Sequence, residues 1–308
     1  MTKHFFTLLL SMLLLTGLLK AQTIDTVKYW NFKGEGTLAL SQVSLNNWAA
    51  GGEPSTGVNA MGNLFSAYKK GKFSWDNSLE LAYGFLSQPK AVIKYKKTDD
   101  KIDFSSKAGI YAFKKWDYTI LFGFKTQFSD GKNYPNDSTV ISRFMAPGYF
   151  QLALGMNYKP TGYFSLFISP LGMRYTIVND QKLADLGAFG VDPATTTKTG
   201  EIITHGKNTL WEFGASTKAA FQKEIAKNVT LGTKLELFSN YLKNPQNVVV
   251  NWEVLLSLKV NSFLTTTIAT QLVYDDNIDI LSKEGITLGP RTQFKEIIGV
   301  GLSHKFGK

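Results

Sequence analysis

Apolar residues occupy every second position through most of the chain, a period typical of β-strands with one face buried or in lipid. The clearest example spans 248–260, where Trp252 and a series of valines and leucines alternate with polar residues that include Glu253 and Lys259. The same division recurs at 118–127 and 150–158. Each of these segments therefore has one apolar face and one face of polar, charged or small side chains.

This periodicity predicts twelve strands, each of about ten to fourteen residues, the length of tilted strands that cross a bilayer. An even number of strands also places both ends of the chain on the same side of a barrel. The strands are predicted at 32–43, 55–69, 73–87, 102–114, 117–129, 146–159, 163–178, 209–223, 228–240, 247–260, 262–275 and 292–306.

The connections between these strands alternate between short and long. Short turns on one side and long loops on the other are typical of outer-membrane barrels, in which the short turns face the periplasm. The short turns lie near 70–72, 115–116, 160–162, 224–227 and 261. The longer loops lie near 44–54, 88–101, 130–145, 179–208, 241–246 and 276–291.

A soluble β-sandwich or a lipocalin-like barrel also shows alternation, but two further features favour a membrane barrel. The polar faces are rich in small residues, and the last strand ends with the aromatic Phe306, as the terminal strands of outer-membrane proteins do. We therefore predict an all-β fold, a transmembrane antiparallel up-and-down β-barrel of about 12 strands. The apolar faces end in aromatic residues, as membrane interfaces require, at Tyr68, Phe73, Trp75, Tyr158, Tyr163, Phe221 and Tyr274.

Residues 1–21 form a predicted signal peptide, with Lys3 before the apolar run 5–19 and the small residue Ala21 at its end. The run is shorter than the roughly 20 residues of a spanning helix. We expect cleavage before Gln22, so that 22–308 is the exported barrel. N-terminal sequencing of the membrane-bound protein is expected to begin at Gln22, and a sequence beginning at Met1 would contradict this prediction.

Composition narrows the chemistry. The absence of cysteine excludes thiolate catalysis, cysteine-ligated metal sites and disulfides, and three histidines leave few ligands for a histidine-based metal site. We therefore predict neither a cofactor nor a metal. The formal net charge of +10 comes from lysines spread along the chain, and without a basic stripe this distribution does not indicate nucleic-acid binding.

Two loop segments resemble a known family. They are 45–52, with the sequence LNNWAAGG, and 183–191, with the sequence LADLGAFGV. Both are similar to segments of the exported domain-of-unknown-function family 3078, which is typical of Bacteroidota-like bacteria, and Gln22 fits the same background. The resemblance implies an outer-membrane barrel over nearly the whole mature chain, and it brings no assigned activity or catalytic residues.

The polar faces carry charges of both signs, and these are the predicted lumen-lining residues. One interpretation is a polar path for small solutes, tuned by rings of charge. The other is a self-paired network that fills a narrow barrel, with pairs formed between neighbouring strands. The residues are Glu35, Asp76, Glu80, Asp103, Lys107, Lys125, Glu212, Lys218, Lys234, Glu236, Glu253, Lys259 and Lys295.

Two loop segments are candidates for the barrel mouth. Trp48 with Gly51 and Gly52 fits a gating or ligand-stacking element, although a tight turn with Trp48 packed on the rim is the simpler interpretation. Phe189, in the apolar stretch 186–191, is the second candidate, and this stretch also fits a docking surface. The acidic segment 275–279 resembles the start of a calcium loop but lacks the glycine and glutamate that such a loop requires.

An enzyme is the remaining alternative, because outer-membrane phospholipases are twelve-stranded barrels with serine and histidine on the outer face. His304 is predicted near the periplasmic end, away from the outer rim. His205 is the candidate base, with Ser282 as a candidate nucleophile that no motif surrounds. Since a lone loop histidine is usually a solvated surface residue, we predict no catalytic residues. The carboxylates that would orient His205 are Asp185, Asp192 and Glu201.

We predict a bacterial outer-membrane β-barrel that passes small solutes through a narrow polar lumen. The expected partners are outer-membrane lipid, lipopolysaccharide and small polar solutes, with no nucleic acid. No motif identifies a particular solute or an oligomeric state. The alternatives are a closed barrel that acts as a docking or assembly partner and, less favoured, a surface lipid-modifying enzyme.

Overall fold

The structure is a computed structural model that describes residues 29–43, 54–88, 91, 93–134, 138–281 and 287–307. The predicted signal peptide lies outside the described residues, as do Trp48, Gly51, Gly52 and Ser282. Within the described ranges, no helix is long and apolar enough to cross a membrane.

Twelve strands form one closed antiparallel barrel, in which each strand pairs with the next along the chain and β12 pairs with β1. This architecture confirms the predicted fold class, strand number and up-and-down order. The strands are β1 Trp30–Val43, β2 Ser55–Lys70, β3 Phe73–Ser87, β4 Tyr95–Phe113, β5 Trp116–Thr126, β6 Gly148–Thr161, β7 Phe164–Ile177, β8 Thr209–Ala226, β9 Val229–Asn240, β10 Val248–Lys259, β11 Leu264–Tyr274 and β12 Gln293–Gly307.

The largest difference from prediction is at the start of β4, which begins at Tyr95 instead of residue 102. These first residues pair with the end of β3, where Ser87 lies opposite Tyr95. The segment 96–101 is polar on both faces, so no alternation marks it as a strand. Such a segment is stable because its backbone is paired, without an apolar face of its own.

The two ends of the barrel differ, as predicted. At the turn end the strands are joined by tight turns, among them Lys114-Lys115, whose φ angles of 40° and 73° are in the left-handed region. Within the described residues of the loop end, the longer connections contain three small hairpins, one short α-helix and a single 3-10 turn at Ala188–Gly190. The hairpins are Gly131–Lys132 with Val140–Ser142, Thr195–Thr196 with Ile202–Thr204, and Asp279–Leu281 with Thr287–Pro290, and the helix is α1, Gln181–Asp185.

Side-chain burial follows the period of two, with the buried residues of the strands facing inward. Leu121, Ala153 and Phe167 pack together inside the barrel, each with at most 1% of its surface exposed. Outward side chains are large and apolar yet exposed, as shown by Ile298, with 60% of its surface accessible. A soluble protein does not leave so extensive an apolar wall in water, whereas a membrane-spanning barrel presents such a wall to lipid.

Aromatic residues form a row at each end of the apolar wall. Trp116 marks the turn-end row and Phe124, eight residues further along β5, marks the loop-end row. This spacing corresponds to about 26 Å along the strand and about 20 Å along the barrel axis, close to the height of a lipid-facing band. Further members include Tyr68, Phe73, Trp75, Tyr158, Tyr163 and Phe221 at the turn end, and Phe150, Tyr175 and Trp211 at the loop end.

The longest loop, 178–208, is anchored by a small apolar core. Asp180 caps α1 by accepting a hydrogen bond from the backbone N–H of Leu183 at 3.1 Å. Val191 packs with residues of α1 and with the neighbouring loop, and the partly buried Phe189 covers this cluster. The loop is therefore an ordered structure at the barrel mouth. The buried members of the cluster are Ala146, Val178, Leu183, Ala184 and Val191.

Candidate functional site

Eight charged side chains from six strands form a layer inside the barrel, here called the charged layer. Most of them alternate with outward apolar residues, as Glu253 does between Trp252 and Val254, and Lys101 is placed by the pairing of β4 with β3. Four are acidic and four are lysines, so the layer has no net charge. Its members are Glu80, Lys101, Asp103, Lys125, Lys218, Lys234, Glu236 and Glu253.

Some ion pairs of the charged layer cross the lumen. The Nζ of Lys101 on β4 lies 2.9 Å from Oε2 of Glu80 on the adjacent strand and 2.7 Å from Oε2 of Glu253 on β10. Since β4 and β10 are six places apart in a ring of twelve strands, they stand on opposite walls. This one ammonium therefore joins two opposite sides of the barrel.

Two further lysines make similar bridges. The Nζ of Lys234 on β9 lies 2.6 Å from Glu80 on β3, and the Nζ of Lys125 on β5 lies 2.5 Å from Glu236 on β9. Neighbouring strands also pair, as Lys218 does with Glu236 at 3.0 Å. The predicted pairing between neighbours is thus one part of the network, and bridges across the lumen are the other.

Asp103 lies at the centre of the charged layer, with 6% of its side chain exposed. The ammonium groups of Lys125, Lys234 and Lys101 lie 3.6, 3.7 and 3.9 Å from its Oδ2. This oxygen accepts no hydrogen bond from the described residues. The oxygen is buried, so the centre of the layer is held by charge at distances longer than a hydrogen bond.

A second ionic cluster lies in the lumen nearer the loop end. Arg174 on β7 donates two hydrogen bonds to Glu212 on β8, one of them at 2.9 Å, and lies 3.3 Å from Asp275. Its guanidinium also stacks over the ring of Phe238 at 4.9 Å. Glu212 is 1% exposed, so this bidentate pair is buried. Sequence analysis missed Arg174, although it lies on the polar face of its strand, directly opposite Glu212.

The other predicted lumen residues lie nearer the two ends. At the loop end, Lys295 forms an ion pair with Asp99 at 2.9 Å. At the turn end, Lys159 forms an ion pair with Asp76. Lys107 has no ion-pair partner within the described residues. Glu35 accepts a hydrogen bond from Ser303 at 3.0 Å, and Lys259 is exposed at the end of β10.

The loop candidates form a structural pair without a complete catalytic set. Nδ1 of His205 lies 3.0 Å from Oδ2 of Asp185. Hydrogen bonds from Gln181, the Gly206 N–H and His205 hold the pKa of Asp185 below its usual value. These bonds connect α1 to the segment that follows the hairpin. Asp192 pairs instead with Lys207, at 2.8 Å.

The remaining candidates have structural surroundings. His304 lies at the turn end, opposite Gly36 of β1. Asp275 accepts hydrogen bonds from Asn277 and contacts Arg174, so its oxygens already have partners. Among the described residues, no group of three or more histidine, aspartate or glutamate side chains is arranged to hold a metal.

A closed antiparallel barrel with an apolar outer wall and a charged lumen defines a membrane-spanning β-barrel. Residues 40–132, from the end of β1 past β5, match the family described as a protein of unknown function, DUF3078. This match confirms the predicted family resemblance over a region that includes 45–52, whereas the segment 183–191 lies outside it. No curated protein shows significant sequence similarity to the chain.

Several solved structures resemble the barrel at low sequence identity. An outer membrane channel (COG4313) from Pseudomonas putida F1 is 9% identical, with 92% of this chain and 100% of that chain covered and a TM-score of 0.39. Outer membrane phospholipase A from Escherichia coli is 12% identical, with 91% of this chain and 94% of that chain covered and a TM-score of 0.38. The NanC porin is 10% identical, with 88% of this chain and 98% of that chain covered and a TM-score of 0.36. The similarity is limited to the barrel architecture.

Proposed function

We propose that this protein is an outer-membrane β-barrel that passes small solutes through a narrow polar lumen, with the charged layer as its constriction. The apolar wall and the two aromatic rows support the membrane placement. Short turns at one end and long loops at the other support an orientation with the turn end in the periplasm.

The observation that carries the proposal is the combination of bridging ion pairs and residual exposure in the charged layer. Opposite walls are joined at one level, so no wide pore is open there. Yet seven of its eight side chains, from Lys218 at 14% to Lys234 at 33%, retain part of their accessible surface. Because solvent reaches these ion pairs, a pair can open, and the lysine or the carboxylate can then contact a passing ion.

Size and charge limit what passes. On the inner face of β5 to β7, the lumen is filled by Leu121, Ala153 and Phe167, which leaves the charged side as the path. Four lysines oppose four carboxylates, so no ring of one sign favours cations or anions. We therefore expect a low conductance for small ions with weak selectivity.

Removing three of the four carboxylates is expected to make the path anion-selective. In the triple variant Glu80→Gln, Glu236→Gln, Glu253→Gln, four lysines face only Asp103, and the loss of bridging pairs should also raise the conductance. Single-channel recording in planar bilayers, with reversal potentials in a KCl gradient, measures both effects. The matched control is Asp192→Asn, Glu201→Gln, Asp279→Asn, which removes three acidic charges from the loops and should behave like the native protein.

A second candidate function is docking of another protein at the loop end. The ordered loops at this end leave large apolar side chains in solvent, with Leu186, Leu242 and Ile203 exposed to 79%, 73% and 68%. Exposed apolar residues on ordered loops are typical of interaction surfaces. If neither the native protein nor the triple variant conducts, the transport proposal fails and docking becomes the better explanation. A lipid-hydrolysis assay on the same preparation tests the enzyme alternative, which rests on the His205–Asp185 pair.

A further inference from the structure

The lipid-facing wall contains an apolar groove of about 750 Å³ that crosses strands β3 to β7. Phe73, Ile110, Trp116 and Tyr118 line it towards the turn end, and Ile168 and Pro170 line it further up the wall. A recess of this kind is lined by lipid-facing residues and is open to acyl chains.

Two features of the wall produce the groove. Ala108 faces outward between larger residues and provides little side-chain bulk along the groove. A bulge in β7 adds to this, because pairing with β6 passes from Leu171 to Ile168 while the partner strand advances only from Leu154 to Met156. Pro170 lies within this bulge, where a residue is left out of the backbone pairing, so the missing N–H of proline costs no hydrogen bond.

Three lysines lie at the turn end of the groove. Lys72 immediately precedes Phe73, and Lys114-Lys115 immediately precede Trp116, so both turns adjoin residues that line the groove. All three lysines are exposed, and none has an ion-pair partner within the described residues. Lys115 donates one hydrogen bond to the Pro160 carbonyl at 2.7 Å, which holds its ammonium beside the barrel rim.

The turn between β4 and β5 uses lysine where other residues suit the backbone better. Both central residues have positive φ, 40° at Lys114 and 73° at Lys115, a geometry that favours asparagine and glycine. The chain therefore places two positive charges at this point against the local backbone preference.

Two lysines at the loop end are held by carboxylates, which the lysines at the groove are not. Lys97 binds Asp100 at 2.8 Å, and Lys207 binds Asp192 at 2.8 Å. At the turn end, by contrast, Lys70 and Lys223 lie over the rings of Tyr29 and Tyr163, at 5.1 and 4.7 Å. Cations held beside interfacial aromatic rings lie at the level of lipid headgroups.

We propose that the groove and its two lysine turns form a binding site for an anionic phospholipid of the periplasmic leaflet. An acyl chain occupies the groove, and the headgroup phosphate contacts Lys72, Lys114 and Lys115. The inference rests on the proposed membrane placement and orientation but does not depend on conduction, so a non-conducting barrel leaves it intact.

The test is native mass spectrometry of the full barrel in detergent micelles, titrated with phosphatidylglycerol or with phosphatidylcholine of the same chains. We expect phosphatidylglycerol to bind about tenfold more tightly, since each lysine near a lipid surface favours anionic headgroups. The variant Lys72→Gln, Lys114→Gln, Lys115→Gln should lose this preference. Its control, Lys182→Gln, Lys198→Gln, Lys243→Gln, removes three exposed loop lysines and should retain it.

A second pair of variants tests the groove without changing charge. Ala108→Phe fills the groove and should weaken binding of both lipids about tenfold. Ala60→Phe adds the same ring to the outer face of β2, away from the groove, and should have no effect. Heat-modifiable migration on gels shows that each variant is folded. Unchanged phosphatidylglycerol binding in either the lysine variant or Ala108→Phe would overturn the proposal, because both parts of the site are required.

Discussion

Val254→Arg is expected to destabilise the barrel folded in lipid vesicles by about 2–4 kcal/mol, because Val254 lies mid-strand on the lipid-facing side of β10. It pairs with Thr233 and Thr270 on the outer face. Ser257→Arg adds the same side chain three residues further on, facing the lumen, where water and carboxylates can solvate it. This second change should leave folding nearly unaffected. Urea titration of folding in vesicles measures both variants.

The comparison is sensitive to strand register. Side chains alternate between the two faces, so a slip of one residue would place Val254 in the lumen and Ser257 in lipid. A larger penalty for Ser257→Arg than for Val254→Arg would therefore show the opposite facing. Equal tolerance of both changes would argue against a lipid-facing wall at this strand.

Glu212→Leu is expected to destabilise the barrel by about 3–5 kcal/mol, because it leaves the Arg174 guanidinium buried without its main partner. Asp275 accepts a single hydrogen bond from Arg174 at 3.3 Å, which does not replace a bidentate carboxylate. The same urea titration measures the loss. The double variant Arg174→Met, Glu212→Leu should recover most of it, since Asp275 keeps the hydrogen bonds from Asn277.

Glu201→Leu provides the control for this second prediction, because it removes an exposed carboxylate from a loop hairpin and should be nearly neutral. If Glu212→Leu costs no more than this control, the pair with Arg174 is solvated and the lumen is wetter at the loop end than the structure indicates.

Strands and facing could be predicted because each barrel strand has its own lipid face, so the period of two is visible strand by strand. Where a strand does not face lipid, apolar and polar residues do not alternate, so the sequence predicts a loop at the start of β4. Lys101 lies in that segment, and the most important bridging lysine was therefore missed.

Pairing could be predicted only where a tight turn determines the register. Lys218 and Glu236 are directly opposite across the turn at 227–228, and both were identified as lumen residues. Arg174 and Glu212 are separated by the longest loop, so the sequence does not reveal their register. Bridges between opposite walls depend further on how the whole sheet closes, which no local pattern contains.

The bridges across the lumen also have a mechanical consequence. A hollow cylinder resists flattening only through the stiffness of its wall, whereas side chains that join opposite walls resist it directly. The lateral pressure of the bilayer on this barrel is thus carried in part by Lys101, Lys125 and Lys234 and their carboxylates. Loss of these ion pairs would both widen the path and make the wall easier to deform, so permeability and rigidity vary in opposite directions in this molecule.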